Sequence, residues 1–447
     1  MKSKLVLSLA VLSLFSMSAH AASMQRKNEK KLYIGSNSTE AKLTYDGLVE
    51  YESSEKPTLA TLKDVIESQV EHTIGPMSAA EYTSVPKGDH RISKIKILAK
   101  SGETYSIGYT YAGTVVLENG PKETYDIILA KNVQKIYAAG FVGQHNPCTD
   151  EHYQSEGDFW YFWNPNQAGC KLKKDKDYTV VKAKVTRFEN TVKTYPEYHN
   201  LPDANGNITI HIFFGMDDNS KGRNPLTSGD TNAFIYKDFK EYLTGVGYTS
   251  KKWTAAEITK VAKTKDGAFP YVETLTKGKI SYRFFFGPTA IDEDSLAFHW
   301  FYKDAIENAS VMLYGGHSGL GGHLDLAAIE QNLGVEIKFN PKKYQIFFFD
   351  SCTSYKYYNT QYFERKATTK DPKGTKTLDI FTNGLATYFH VMPESNRAIA
   401  IAFDKALGYA ASGNGFVSYQ SLAKQIDSDN LFGINGDEDN EAPKKIK

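Results

Sequence analysis

Two apolar runs in this chain end on reactive side chains. Residues 310–314 (SVMLY) lead into Gly315-Gly316-His317-Ser318-Gly319, and residues 344–349 (YQIFFF) lead into Asp350-Ser351-Cys352. An imidazole at one strand end and a thiol at the next can together perform nucleophilic catalysis: the base removes the thiol proton and the thiolate attacks a carbonyl carbon. Glycines at 315, 316, 319, 321 and 322 frame the histidine. They let the loop approach a substrate backbone and present N–H groups to a developing oxyanion. The N–H of Ser318 or Gly319, with that of Cys352, are the candidate donors. A lone cysteine is more commonly core packing. Here it closes an apolar run between Ser351 and Thr353, opposite a glycine-framed histidine, which favours the nucleophile.

The cysteine count bears on that assignment. There are three, Cys148, Cys170 and Cys352. The N-terminus has Lys2 and Lys4, an apolar run over residues 5–15 and Ala19-His20-Ala21, the pattern of a signal peptide over residues 1–21. The chain is therefore expected to be exported, to the periplasm or the outside of the cell. An odd number of cysteines in an exported chain leaves one thiol unpaired. Cys148 and Cys170 flank the aromatic segment of residues 159–163 and are the expected disulfide, leaving Cys352 free. The competing arrangement is zinc held by His145, Cys148, His152 and Cys170. An oxidising compartment favours the disulfide.

These groups need a scaffold. Residues 207–215, 279–287, 310–315 and 344–350 are short, near-continuous apolar runs, with residues 378–382 as a further strand. Helical patterns over 233–243, 294–309, 324–333 and 394–411 lie between or after them. Such alternation predicts a largely parallel sheet covered on both faces, with sites at the carboxyl ends of its strands. One strand–helix–strand unit fits between His317 and Cys352, and adjacent strands lie about 4.8 Å apart. Upstream, residues 91–99, 105–117, 123–130 and 178–188 alternate as half-buried strands, and residues 56–74 carry helical spacing with Pro57 in the first turn. Residues 194–206, rich in Pro, Asn, Asp and Gly, read as a linker. The expected organisation is a β-rich α+β accessory domain over 30–193, a catalytic α/β domain over 205–425 and an acidic flexible tail over 427–447.

At this point the residues resemble clan CD cysteine peptidases, the group of caspases, metacaspases, legumain and gingipains. Those enzymes place His-Gly after one hydrophobic strand and Cys after the next. Asp350-Ser351-Cys352 and Tyr314-Gly315-Gly316-His317 are similar to the metacaspase forms of these motifs. The resemblance covers about residues 205–425 and implies a caspase–hemoglobinase-like fold. Cys352 would be the nucleophile and His317 the acid–base. Asp350 would line the first substrate pocket and select Arg or Lys, where the bland role is a structural carboxylate bonded to nearby backbone. Ser318 stands where the family has glycine, and Thr353-Ser354-Tyr355 replaces the usual His-Ser-Gly. Lys221 and Arg223 would be conceivable self-cleavage points.

Other residues read as ordinary structure. His323 lacks the strand-end position, His299 belongs to a helix core, and Asp325 and Glu330 belong to the following helix. Asp217 and Asp218 either line the pocket or cap a turn. Trp160 and Trp163 either form a ligand platform or pack their loop. Asp379 and Asn383 lie near the strand that borders the pocket, neither as a catalyst. Net charge is +1, and 23% of residues are charged, which gives no nucleic-acid or membrane-surface footprint. The N-terminal apolar run is too short to span a bilayer as a helix, and no later segment is apolar over enough residues to do so. The expected function is an exported cysteine endopeptidase acting on peptide or protein substrates through a Cys–His dyad and an acyl-enzyme, with no metal and no organic cofactor. The alternative is a catalytically degenerate relative that binds or builds.

Overall fold

The structure is a computed structural model that describes residues 33–80, 90–138, 147–149, 159–188, 193–263, 270–292, 295–387, 389–410, 415–426, 430–437 and 443–444. The expected signal peptide (1–21), His145, His152 and most acidic residues of the tail lie outside the described residues. Residues Lys31–Lys447 form one compact unit.

The chain opens with β1 (Tyr33–Gly35) and a long β2 (Ser38–Glu52), followed by β3 (Arg91–Ser101), β4 (Thr104–Glu118), β5 (Thr124–Ala130) and β6 (Tyr178–Arg187). It continues through β7 (Ile208–Gly215), β8 (Thr249–Lys252), β9 (Tyr271–Lys277) and β10 (Ile280–Gly287). The last strands are β11 (Val311–Gly315), β12 (Gln345–Asp350), β13 (Leu378–Thr382) and β14 (Gly433–Asn435). Strands β2–β6 make a five-stranded antiparallel sheet in the order β3-β4-β2-β6-β5. In β2 every second residue turns inward. Ala41, Leu43, Tyr45 and Val49 meet Ile66 and Val70 of the helix Leu59–Glu71. Thr58 caps that helix by accepting from the Thr61 N–H, so Pro57 precedes the helix instead of occupying its first turn.

The other nine strands form a mixed sheet in the order β1-β14-β13-β12-β11-β7-β10-β9-β8. Its centre, β10-β7-β11-β12-β13, is parallel throughout, and antiparallel strands flank it on both sides. Ile210, Ile212 and Phe214 point to one face, under the helices Thr231–Gly245, Met392–Ala406 and Tyr419–Ile426. Phe213, Met312, Tyr314, Phe347 and Phe349 point to the other, under Ala255–Ala262, Leu296–Asn308 and Leu326–Leu333. Burial on both faces accounts for the unbroken apolar runs. The fold is thus α/β, with a nine-stranded mixed sheet, a five-stranded sheet and helices.

Two short strands depart from the domain boundaries read in the sequence. β1 belongs to the nine-stranded sheet although it precedes the five-stranded one, and it pairs with β14. β14 in turn falls in the segment expected to be a flexible tail. Leu431, Phe432 and Ile434 anchor it, all buried. The acidic residues dominate the composition there, but three apolar side chains are enough to dock a strand on β13.

Candidate active site

Chain direction reverses its march across the sheet between β7 and β11: the chain runs from β7 to β10 on one side and later to β11 on the other. At such a switch point the loops beyond the strand ends diverge and leave a crevice. Three adjacent parallel strands open onto it. β7 is followed by Met216-Asp217, β11 by Gly316-His317, and β12 by Ser351-Cys352. Gly315 is level with Asp350, and the Gly316 N–H reaches the Asp350 carbonyl at 3.3 Å, so the last two strand ends are flush.

His317 Nε2 lies 2.7 Å from Asp217 Oδ1. An ionised carboxylate only accepts, so in the neutral ring Nε2 carries the proton and Nδ1 keeps the lone pair. Phe389 meets the imidazole edge-on at 5.4 Å between centroids. Asp217 is itself anchored. Its second oxygen accepts from Thr231 Oγ1 at 3.2 Å, and its N–H donates to Asp230 Oδ2 at 2.9 Å. Asp230 also caps the helix Thr231–Gly245, and burial pushes its carboxyl up. The start of that 15-residue helix, where the dipole is positive, therefore faces the Asp217 carboxylate. The sequence left Asp217 between a pocket residue and a turn cap; its structural partner is the histidine. Asp218 is the turn cap, accepting from the Ser220 N–H at 2.8 Å.

Cys352 is partly buried and free. Burial pushes its thiol up, with the Asp350 charge adding to the rise, while hydrogen bonding from the Thr387 backbone pulls it down. The turn that carries it is clamped to the end of β13. Thr353 N–H donates to the Leu385 carbonyl at 2.9 Å, Tyr355 N–H to that of Asn383 at 3.0 Å, and Asn383 N–H to Ser354 Oγ at 2.8 Å. Ser354 Oγ donates to the Phe349 carbonyl at 2.7 Å, closing the turn on its own strand. From outside the nine-stranded sheet, Tyr161 OH of the short helix Phe159–Phe162 bonds Thr353 Oγ1, Glu40 Oε1 of β2 accepts from Tyr355 OH at 2.6 Å, and the Trp160 ring of the same helix lies 4.8 Å under Lys356 Nζ.

Asp350 is only 6% exposed. Its Oδ1 accepts from Asn383 Nδ2 at 2.9 Å and Thr387 Oγ1 at 3.0 Å. Burial raises its carboxyl to about 7 against the pull of these two bonds. Its partners are side chains, where the structural alternative in the sequence reading had invoked backbone N–H groups.

The loop after His317 has its peptide planes set by their carbonyls. The His317 carbonyl accepts from Tyr314 OH at 2.7 Å, and that of Ser318 from Gly321 N–H, His323 N–H and Tyr358 OH at 3.0, 3.1 and 2.9 Å. In a trans peptide the N–H points opposite the carbonyl. The Ser318 and Gly319 N–H groups are therefore directed away from these inward bonds. Gly319 has φ +54°, and a Cβ there would meet the His323 ring at 2.1 Å, so glycine is needed. Ser318 has ordinary helical dihedrals and carries its side chain without strain.

The remaining candidates separate cleanly. Burial pushes His323 down to about 4, with the neighbouring His317 adding to the fall, so it is a neutral ring packed on Gly319. His299 is fully buried with Nε2 on the Ala290 carbonyl at 3.1 Å. Asp325 caps the helix Leu326–Leu333, and Glu330 pairs with Arg365. Asn383 follows the carboxyl end of β13 and joins the site, whereas Asp379 lies near the start of that strand, bonded to Tyr344 and Tyr419. Trp163 is buried with Nε1 on the His72 carbonyl at 2.7 Å, and Trp160 packs under Lys356, so neither is an open platform. Cys148 and Cys170 are disulfide-bonded, with Cα atoms 4.5 Å apart, which removes both from a zinc set. Among the described residues no group of three or more His, Cys, Asp or Glu is arranged to hold a metal, and no helix is long and apolar enough to cross a membrane.

Sequence reasoning missed Asp217 as the imidazole's partner and Thr387 altogether. A signal for Asp217 was available: β7 is a third apolar run ending in Gly-x-Asp. Thr387 had none. Compared with known proteins, the chain matches no family model, no curated protein and no solved structure.

Proposed function

We propose that this chain is a cysteine peptidase of the caspase–hemoglobinase kind. One observation carries the reading. A carboxylate, an imidazole and a thiol follow three neighbouring parallel strands at the switch point of the sheet, and the first two are bonded at 2.7 Å. Asp217 fixes the ring with Nε2–H toward itself, leaving Nδ1 to take the Cys352 proton. The thiolate attacks the scissile carbonyl, forming the S–C bond. The protonated imidazole then gives its proton to the departing amine as the C–N bond breaks, and water hydrolyses the acyl-enzyme by the reverse proton path. N–H groups of Ser318, Gly319 and Cys352 would hold the oxyanion. Because burial holds the thiol up, the proton is transferred when substrate arrives and no standing thiolate is needed.

Asp350, beside Cys352 and framed by Asn383 and Thr387, is the group that would pair with an Arg or Lys side chain before the scissile bond. The Cys148–Cys170 disulfide supports export, since such bonds persist in oxidising compartments.

The buried, raised thiol and Ser318 favour a second reading, a binding or structural protein with a degenerate peptidase core. A panel of fluorogenic peptides with basic, acidic and apolar residues before the bond separates the two, run on the mature protein beside Cys352→Ala and with iodoacetamide labelling. The peptidase reading expects cleavage of at least one substrate, abolished in Cys352→Ala and by alkylation. No cleavage under reducing conditions with or without calcium, together with an unlabelled Cys352, would establish the second reading.

A further inference from the structure

Groups with chemistry lie in line along the carboxyl edge of the nine-stranded sheet. Asn383 follows β13, Asp350 and Cys352 end β12, His317 follows β11 and Asp217 follows β7. In cleavage by this dyad the imidazolium protonates the departing amine, so the departing half of a substrate leaves on the His317 side. That side runs over β7 and onto the helix Thr231–Gly245. Two features there have no packing explanation. Phe234 is 63% exposed and is the one aromatic among the exposed large hydrophobics of the described residues. It sits one turn beyond Thr231, whose hydroxyl bonds Asp217, and so shares a face with it. Leu226, 46% exposed, lies in the loop between Asp217 and that helix, its N–H held by Asn224 Oδ1 at 3.1 Å. An isolated exposed leucine is ordinary. Both exposed side chains belong to the chain segment that runs from the imidazole's carboxylate into the helix it caps, and exposed aromatics are the favoured anchors of recognition.

We propose that Phe234 and Leu226 form an apolar subsite that takes a leucine or phenylalanine side chain from the departing half of a peptide substrate. The proposal rests on the peptidase reading and adds to it a specificity on the side opposite Asp350. Phe234 stands one helical turn, about 5 Å of rise, beyond Thr231, whose hydroxyl bonds the carboxylate that holds His317.

The test uses internally quenched peptides with the best-accepted residue before the scissile bond and Leu, Phe, Ser or Asp at each of the four positions after it. An aminocoumarin amide of the same acyl half, which has no departing peptide, is run in parallel. Wild type is expected to prefer Leu or Phe over Ser at one position by about 10-fold in kcat/KM. That ratio is expected to fall below about 3-fold in Phe234→Ser and to fall partway in Leu226→Ser, while Phe234→Tyr keeps it. A flat preference in wild type, or an undiminished one in both serine variants, overturns the subsite while amide cleavage leaves the peptidase reading standing. Failure of wild type to cleave either the amide or any peptide overturns both.

Discussion

Asp350 is a buried acid that titrates near neutrality, and this has consequences of both function and stability. Its folded value of about 7 stands above the ordinary 3.8. A raised folded value means the folded state holds the proton more tightly than the unfolded one. The associated stability is complete at low pH and is lost as pH rises toward about 7. Asp350→Asn removes that loss, so its melting temperature relative to wild type is expected to increase from pH 5 to pH 7 and level off above. On the functional side, only the ionised carboxylate attracts a cationic side chain. For a substrate with Arg before the bond, kcat/KM is expected to fall below pH 7 by an additional limb that is absent for a neutral residue there and absent in Asp350→Asn. Asp217 makes a different prediction. Asp217→Asn keeps the shape but presents an amide that can turn its NH₂ to Nε2 and favour the wrong tautomer. A loss of about 10-fold or more in kcat is expected, part of the ~10²–10⁴ that general acid–base catalysis contributes, with KM little changed and the thermal midpoint within a few degrees of wild type. These two carboxylates also show the reach of residue-level reading. The strand-end placement of His317 and Cys352 was legible from the apolar runs before them, whereas the pocket role of Asp350 was only what the resemblance implied. Asp217 was visible but unassigned, because its role depends on β7 lying beside β11, distant in the sequence.

At the scale of elements, the site is a set of strand ends held by loops. Thr353, next to Cys352, has φ +50° and is buried, and the short helix Phe159–Phe162 supplies its hydroxyl partner through Tyr161. Tyr161→Phe leaves the Thr353 hydroxyl without that partner at a cost of about 1–3 kcal/mol. The expected result is a lower melting temperature and faster iodoacetamide labelling of Cys352 as the turn loosens. Gly319→Ala is expected to be worse for activity than for stability. It forces a Cβ into the His323 ring at a left-handed φ, costing about 1–3 kcal/mol, and displaces the loop that carries His317. A thermal scan and kcat/KM on the same preparation separate the two effects. The parallel strands β7, β10, β11, β12 and β13 fall within a residue or two of the apolar runs because two-sided burial leaves an unmistakable continuous pattern. β8 (TSKK) has almost no apolar content and exists because β9 offers it a partner edge. That is a tertiary effect with no local signal.

For the whole molecule, β2 of the five-stranded sheet and the helix Phe159–Phe162 join the nine-stranded sheet in holding the turn that carries Cys352. Glu40 of β2, Trp160 and Tyr161 all meet residues 353–356. The disulfide closes the segment that carries the last two, and Cys148 is packed with Phe159, Trp163 and Leu172. Replacing both Cys148 and Cys170 by Ser is expected to cost about 3 kcal/mol, read as a lowered denaturant midpoint, with cleavage falling alongside if the aromatic helix loosens from the turn. Composition, the strand–helix alternation, the odd thiol and the two strand-end motifs are local properties, and the sequence alone determined them. Period and residue type do not depend on what lies opposite. The order of strands, the pairing of β1 with β14, the bond from His317 to Asp217, and the contacts of β2 and the Phe159–Phe162 helix with the Cys352 turn were decided only by tertiary structure. Each joins residues far apart in the chain, and which distant surfaces meet is set by the packing of the whole core.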